Sequence, residues 1–237
     1  MAENTKLISV LYEDILKQPH TLIAGATGSG KSCAINGILY TLMVAKGPWD
    51  ASLILIDPKL TELAVYKDLP HTVAYCTKPD VAVKVLKECI TMIEKRYSRA
   101  VERGLKTSDE PDVYIVIDEL SDLIYSDREA VGLLGKIARI GRAANVHLIA
   151  ATQCPNRETL SAEFAANCPA RLGLRCTDAI ESRQIIGTDA AVNLPMYGEA
   201  YYRCPLKREP EHVKLWYYTD EELTAYVKRW IDAVAQK

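Results

Sequence analysis

The sequence predicts an α/β fold in which helices flank a mostly parallel central sheet. Short apolar runs rich in aliphatic and β-branched residues alternate with longer amphipathic stretches, as strands and crossover helices do. A Gly-rich segment separates the first apolar run from the first helical pattern. Several apolar runs also end in polar residues, and ligands of such sheets bind at the carboxyl ends of the strands. We therefore expect a ligand site at one edge of the sheet.

Each predicted element follows from residue type and periodicity. The predicted strands are five aliphatic runs, at residues 21–24, 52–56, 113–117, 147–151 and 170–174. The predicted helices are the amphipathic stretches at residues 31–44, 80–103, 127–144, 179–186 and 220–235. The alternation of the two kinds of element favours parallel strands joined by helices.

Length and composition indicate an ordinary globular chain. With 237 residues, 49% hydrophobic and 25% charged, the sequence is expected to form one domain over residues 1–237. We expect a lead-in over residues 1–16 and a C-terminal extension over residues 204–237 that ends in an amphipathic helix. No apolar run reaches the roughly 18 residues of a membrane span, and the first residues lack a signal-peptide pattern, so a cytoplasmic location is expected.

Cysteine content and charge exclude some function classes. The seven cysteines show no Cys-x-x-Cys pair, which favours free thiols over a zinc site. The net charge of −2 gives no bulk attraction to nucleic acid. Any contact with DNA must therefore come from local basic loops or from an assembly that concentrates them.

Residues 25–32 read Gly-Ala-Thr-Gly-Ser-Gly-Lys-Ser and fit the P-loop pattern between a strand and a helix. Glycines let such a loop curl so that its N–H groups point at phosphate oxygens. Lys31 is expected to reach the β- and γ-phosphates, and the Ser32 hydroxyl to bind Mg²⁺. The predicted nucleotide-binding residues are Gly25, Ala26, Thr27, Gly28, Ser29, Gly30, Lys31, Ser32 and Cys33.

Two further strand ends carry the residues expected for hydrolysis. The run at residues 113–117 ends in Asp118, a predicted Mg²⁺ ligand, and Glu119, a predicted base for the attacking water. Gln153 follows the run at residues 147–151, and its amide can donate to a γ-phosphate and accept from that water. The pattern predicts a nucleoside triphosphate hydrolase.

Several blocks in order resemble the motor domain of the FtsK/SpoIIIE family of DNA translocases. These blocks lie at residues 17–24, 55–63, 118–123, 141–153, 167–171 and 181–186, so the resemblance covers roughly residues 17–203. It implies a RecA-like subunit of a homo-oligomeric ring, commonly a hexamer, with double-stranded DNA in its channel. It also implies that ATP lies between subunits.

In such rings a basic residue of one subunit stabilises phosphoryl charge in the neighbouring site. Arg142 matches the family's Arg-Ala-Ala block and is the first candidate, with Arg183 and Arg171 as second choices. The chain departs from the family pattern at Cys154, where an arginine is usual, and at Ala179, where a lysine is common. Residues 198–200 also replace the family's Gly-Asp-Met, which affects the expected subunit and DNA contacts.

The leading hypothesis is a DNA-stimulated ATPase that moves double-stranded DNA. One alternative is a related coupling or secretion ATPase that moves protein or protein-linked single-stranded DNA. Another is a nucleotide-dependent switch without hydrolysis, against which the presence of both Glu119 and Gln153 argues. A small-molecule kinase shares the P-loop but would leave the later blocks unexplained.

Overall fold

The computed structural model describes residues 11–156 and 158–235. Within these residues, eight strands form one sheet. They are β1 (His20–Ala24), β2 (Ala51–Ile56), β3 (Thr72–Cys76), β4 (Asp112–Ile117), β5 (Val146–Thr152), β6 (Ala170–Gly173), β7 (Glu199–Arg203) and β8 (Glu211–Lys214). The predicted lead-in lies partly outside the described residues, of which residues 11–17 are helical.

The strand order is β3-β2-β4-β5-β1-β6-β7-β8. Strands β1 to β6 are parallel, whereas β7 pairs antiparallel with β6 and β8 antiparallel with β7. The central strand β1 lies between β5 and β6, with His20 opposite Leu148 and Thr21 opposite Ala170. The carboxyl ends of β1, β4 and β5 therefore meet at one edge of the sheet.

Helices cover both faces of the sheet. They are α1 (Lys31–Ala45), α2 (Pro79–Glu102), α3 (Leu120–Ser126), α4 (Glu129–Ile140), α5 (Ala162–Asn167), α6 (Ala179–Ile186) and α7 (Asp220–Ala235). Alternate side chains of β1 belong to two separate apolar clusters, since Leu22 and Ala24 pack on one face and Ile23 on the other. Among the described residues, no helix is long and apolar enough to span a membrane.

The expected α/β fold with a mostly parallel central sheet is confirmed. Each of the five expected strands is present, and the helices expected at residues 179–186 and 220–235 have those bounds. The helix expected over residues 127–144 is shorter, because α4 ends at Ile140 and a separate 3₁₀ turn covers Arg142–Ala144. Asn145, in a left-handed conformation with φ of 54°, then directs the chain into β5.

Candidate functional site

The P-loop joins β1 to α1 at the carboxyl edge of the sheet. Gly28 and Gly30 have φ of 76° and 109°, in the left-handed region that side chains with a Cβ rarely adopt. Gly30 is also the residue that precedes the first turn of α1. The glycines of the motif are thus required by the backbone path, and the N-terminus of a 15-residue helix points into the site.

Neighbouring loops hold the P-loop in position. The Ala26 N–H donates to Arg175 O at 2.8 Å. A Cβ on Gly25 would lie 2.7 Å from Leu174 Cβ, and a Cβ on Gly30 would lie 2.8 Å from the backbone nitrogen of Gly198. These close approaches explain why the loop needs glycine at both positions.

The Lys31 ammonium lies inside the curve of the P-loop. Its Nζ donates to Gly25 O at 2.8 Å and to Ala26 O at 3.2 Å. Burial lowers the pKa of Lys31, while the nearby carboxylates of Glu119 and Asp118 act in the opposite direction. The ammonium is therefore partly desolvated and electrostatically available to an anion that enters the loop.

The Glu119 carboxylate is buried at the end of β4 and held by hydrogen bonds. Both of its oxygens accept from the Gln153 N–H at 3.1 Å. Glu119 also accepts from the backbone N–H of Ser121 at 3.3 Å and from the Ser121 hydroxyl. With only 2% of its surface exposed, Glu119 is fixed in orientation against the end of β5.

Gln153 connects this carboxylate to the P-loop. Its side-chain Oε1 accepts from the Thr27 hydroxyl at 2.7 Å, while its backbone N–H binds Glu119. One residue thus contacts both the loop that would hold phosphates and the acid that would act on water. Thr27, Gln153 and Glu119 come from three different strand ends, which the parallel topology brings together.

Acidic side chains outnumber basic ones around Asp118. Burial is the main reason that its pKa rises to about 7, and the carboxylates of Glu62, Asp57 and Glu119 add to the rise while Lys31 opposes it. The charged form of Asp118 is therefore incompletely compensated by the protein itself. A cation at this position would supply the missing charge.

Lys31, Asp118 and Gln153 border an open cleft of about 190 Å³, whereas Glu119 is not among the residues that line it. One wall is the P-loop with the first turn of α1, where Ser32 and Cys33 lie, and another is made by Asp118 and Gln153. The loop after β2 forms the remaining wall with Lys59, Thr61 and Glu62.

The residues of the β2 loop were not among the predicted site residues. Lys59 Nζ lies 2.9 Å from Asp122 Oδ2, and this ion pair closes the wall against α3. The signal was present in the sequence, because the apolar run at residues 52–56 ends in a polar block. Only the strand order, with β2 next to β4, shows that this block faces the P-loop.

The donor set fits Mg²⁺ shared with phosphates. Ser32 offers a hydroxyl and Asp118 a carboxylate on the same cleft, which are the hard oxygen ligands that Mg²⁺ prefers. Within residues 11–156 and 158–235, no group of three or more His, Cys, Asp or Glu side chains could hold a metal by itself. A cation held by Ser32 and Asp118 would complete its coordination with oxygens from water or from a bound nucleotide.

The arginines suggested for action in a neighbouring site lie away from this cleft. Arg142 is exposed in the turn before β5, at the opposite edge of the sheet from the P-loop. The Arg171 guanidinium donates to backbone carbonyls of its own chain, among them Cys168 O at 3.1 Å and Gln184 O at 3.2 Å. Arg183 is exposed and pairs with Asp189 at 3.1 Å. Arg171 therefore has a structural function, whereas Arg142 is exposed at the edge of the sheet away from the cleft.

The fold and the cleft together define a P-loop nucleotide-binding domain. Residues 6–112 match the model of the FtsK/SpoIIIE family. The chain is 36% identical over 207 residues to the DNA translocase FtsK of Helicobacter pylori, a match covering 81% of this chain and 24% of that protein. The FtsK of Clostridium acetobutylicum is 33% identical over 230 residues, covering 90% of this chain and 30% of that protein. The chain is a P-loop ATPase domain of the FtsK/SpoIIIE type.

Solved structures show the same fold. The conjugation coupling protein TcpA of pCW3, solved with ATPγS, superposes with a TM-score of 0.81 at 23% identity over 93% of this chain and 66% of that one. The cytoplasmic domain of the type VII secretion ATPase EccC of Thermomonospora curvata gives a TM-score of 0.76 at 25% identity, over 90% of this chain and 28% of that one. The chain spans about a quarter to a third of the length of the curated relatives described above.

Proposed function

We propose that this chain is the motor unit of an ATP-driven DNA translocase that hydrolyses ATP at the subunit interfaces of a ring. One observation carries the proposal: Glu119 and Gln153 are hydrogen-bonded to each other beside a P-loop of the FtsK/SpoIIIE type. A domain that only bound nucleotide would not need a carboxylate that is buried and hydrogen-bonded between the ends of β4 and β5.

In the proposed reaction, Lys31 and the P-loop N–H groups hold the β- and γ-phosphates of ATP. Ser32 and Asp118 would hold Mg²⁺, which would supply positive charge against the charge that develops during phosphoryl transfer. Glu119 takes the proton of the attacking water, and the Gln153 amide orients that water against the γ-phosphate. The fixed geometry of Glu119 supports this assignment, since positioning is most of what a protein contributes to phosphoryl transfer.

The hydrogen bond between Thr27 and Gln153 connects the P-loop to the end of β5, and in this proposal it couples ATP hydrolysis to movement of that segment. When the γ-phosphate leaves, its contacts with the Gln153 amide and the P-loop are lost, and the end of β5 is free to shift. Loops that face the channel would then move along the duplex. In this proposal residues 1–237 act as one cytoplasmic motor unit.

The proposed ring is homo-oligomeric and commonly hexameric, with double-stranded DNA in its channel. Arg142 supports this arrangement, because it is exposed at the sheet edge opposite the P-loop and can complete a neighbour's site but not its own. Contact with DNA is expected to be through phosphates and without sequence preference, as suits a sliding motor.

Steady-state ATP hydrolysis, measured with and without long linear double-stranded DNA at two salt concentrations, tests the proposal. We expect stimulation by DNA that weakens as salt rises. Glu119→Gln should reduce hydrolysis about 100-fold or more while ATP still binds. The matched control is Glu102→Gln on the exposed end of α2, which should retain full activity.

The alternative is a coupling or secretion ATPase that moves protein or protein-linked single-stranded DNA. The structural similarity to the conjugation coupling protein TcpA and the type VII secretion ATPase EccC supports this alternative. Hydrolysis that depends on Glu119 but is indifferent to double-stranded DNA would select it. Absence of hydrolysis in assembled wild-type protein would overturn both proposals.

A further inference from the structure

The P-loop has a second side, away from the carboxylates, that is bordered by β6, β7 and β8. Because β7 runs antiparallel to β6 and β8 antiparallel to β7, the start of β7 and the end of β8 lie at the P-loop edge. Residues 195–198 and 215–219 form the two loops there. These loops have no part in the hydrolytic assignments made above.

The loop before β7 is attached directly to the P-loop. The Gly198 N–H donates to Ser29 O at 3.1 Å, and Gly198 O accepts from the Leu215 N–H at 2.7 Å. A Cβ on Gly28 would lie 3.4 Å from Met196 Cε. The segment on either side of residue 197 is therefore fixed with respect to the phosphate-binding backbone.

Tyr197, in this segment, combines an unusual backbone conformation with an exposed side chain. Its φ is 76°, which is costly for a residue with a Cβ, and its side chain is 80% exposed. A second aromatic residue, Trp216, follows β8 at the same edge and is 37% exposed. Its backbone N–H donates to the Tyr12 hydroxyl at 3.3 Å, and Tyr12 packs against Gly37 of α1. Tyr197 thus lies between two residues that contact the P-loop, whereas the Trp216 ring lies 6.3 Å from that of Tyr218.

The position of the phosphates determines where the nucleobase of a bound nucleotide lies. Asp118 and Gln153, on the β4 and β5 side, mark the end of the cleft that receives the γ-phosphate. A nucleotide that lies across the loop after β1 therefore extends its nucleoside toward the β6 to β8 side. We infer that Tyr197 provides a stacking surface for the nucleobase of the bound nucleotide.

This inference rests on the proposed nucleotide site but not on DNA or on hydrolysis. Stacking on an aromatic face tolerates any base, because every base has a π-face. The subsite would therefore favour a nucleotide over a free polyphosphate without separating purines sharply. The strained backbone at Tyr197 holds its ring toward solvent, which is consistent with a ligand-binding position.

The test is calorimetric titration of the purified full chain with ATPγS and, separately, with inorganic tripolyphosphate, both in the presence of Mg²⁺. Tyr197→Ala should weaken ATPγS binding roughly five- to fifty-fold, as loss of one aromatic stacking partner does, and leave tripolyphosphate binding unchanged. Tyr197→Phe should bind both ligands as wild type does. Tyr97→Ala is the matched control, since Tyr97 is an exposed tyrosine on α2.

Tyr197→Gly separates the ring from the backbone conformation, because glycine adopts positive φ without strain. It should lose ATPγS affinity as the alanine variant does while its melting temperature is unchanged or higher. Wild-type ATPγS affinity in either variant would overturn the inference, as would an equal loss for ATPγS and tripolyphosphate. Failure of the wild-type chain to bind either ligand would instead contradict the proposed nucleotide site.

Discussion

Strand β4 has an aspartate at each end, and the two differ in how their charge is compensated. Asp112 begins the strand and pairs with Lys46 and with His147, whose Nε2 lies 3.4 Å from its carboxylate. Although burial raises its pKa, the hydrogen bonds from His147 and Lys46 lower it below the ordinary value. Asp118 follows the strand among other carboxylates, and its pKa rises to about 7. A balanced charge belongs to the structure, whereas an unbalanced one indicates a place for a ligand.

The largest effect is expected from Asp118→Asn. Loss of the carboxylate should reduce ATP hydrolysis about 100-fold or more and raise the Mg²⁺ concentration needed for activity, because the cation loses a charged ligand. The variant should be as stable as wild type or more stable, since one of several clustered carboxylates is removed. Hydrolysis over a Mg²⁺ series and thermal melting without nucleotide measure both effects. Normal activity would contradict the assignment of Asp118.

The free energy of unfolding should fall in acid because of His20, which begins β1 at the edge of the sheet opposite the P-loop. Burial, assisted by the nearby His147, lowers the pKa of His20 to about 3, so the folded state binds fewer protons than the unfolded state below pH 6.5. The stability from neutral His20 is complete above pH 6.5 and falls as pH decreases. The expected loss between pH 7 and pH 5 is about 2 kcal/mol, measured by urea unfolding.

His20→Asn provides the control for this pH dependence. Nδ1 of His20 accepts from the Leu148 N–H at 3.0 Å, and the asparagine Oδ1 can replace that acceptor. The variant should show a flatter profile between pH 5 and pH 7. An unchanged slope would mean that His20 does not cause the acid sensitivity.

Asp112→Asn tests whether the aspartate at the start of β4 contributes to stability and not to ATP hydrolysis. Removing the charge leaves Lys46 without its ion-pair partner, and because the lysine is 34% exposed we expect a loss of only about 1–2 kcal/mol. ATP hydrolysis per folded molecule should stay within about twofold of wild type. Urea unfolding and a kcat measurement provide the two values. A large loss of activity without a loss of stability would contradict the assignment of a structural role to Asp112.

The smallest effect is expected from Thr27→Val. This change removes the hydroxyl that donates to Gln153 at 2.7 Å, an exposed hydrogen bond of about 0.5–1.5 kcal/mol. We expect kcat to fall a few-fold with little change in KM, since the bond positions Gln153 and is not a main phosphate contact. Thr27→Ser, which retains the hydroxyl, should restore kcat. If the serine variant is equally slow, the hydrogen bond is not the cause.

Much of this arrangement can be predicted from the sequence. The interior parallel strands are aliphatic runs, and the P-loop, Asp118, Glu119 and Gln153 all follow such runs. Three strands were missed, β3, β7 and β8, which lie toward the two ends of the sheet. Their side chains are less completely buried, so their sequences lack the continuous apolar character of the interior strands.

The parts that could not be predicted depend on which strands are neighbours. Glu62 raises the pKa of Asp118 because β2 lies beside β4, and Gly198 reaches the P-loop because β7 follows β6 in the sheet. The break at Gly141 likewise depends on close contacts, since a Cβ there would lie 2.7 Å from both Ile137 O and Val146 O. Such contacts join residues far apart in sequence, and local patterns contain no information about them.

The central position of β1 has a consequence for biosynthesis. This strand is synthesised well before its neighbours β5 and β6, which begin at Val146 and Ala170, and the Leu148 N–H donates to the His20 ring across 128 residues. At about 5–20 residues per second, the apolar strand waits roughly 6–25 seconds for its first partner. Contacts of such long range slow folding. Until β5 and β6 have been synthesised, the aliphatic segment that leads into the P-loop therefore lacks both of its partner strands.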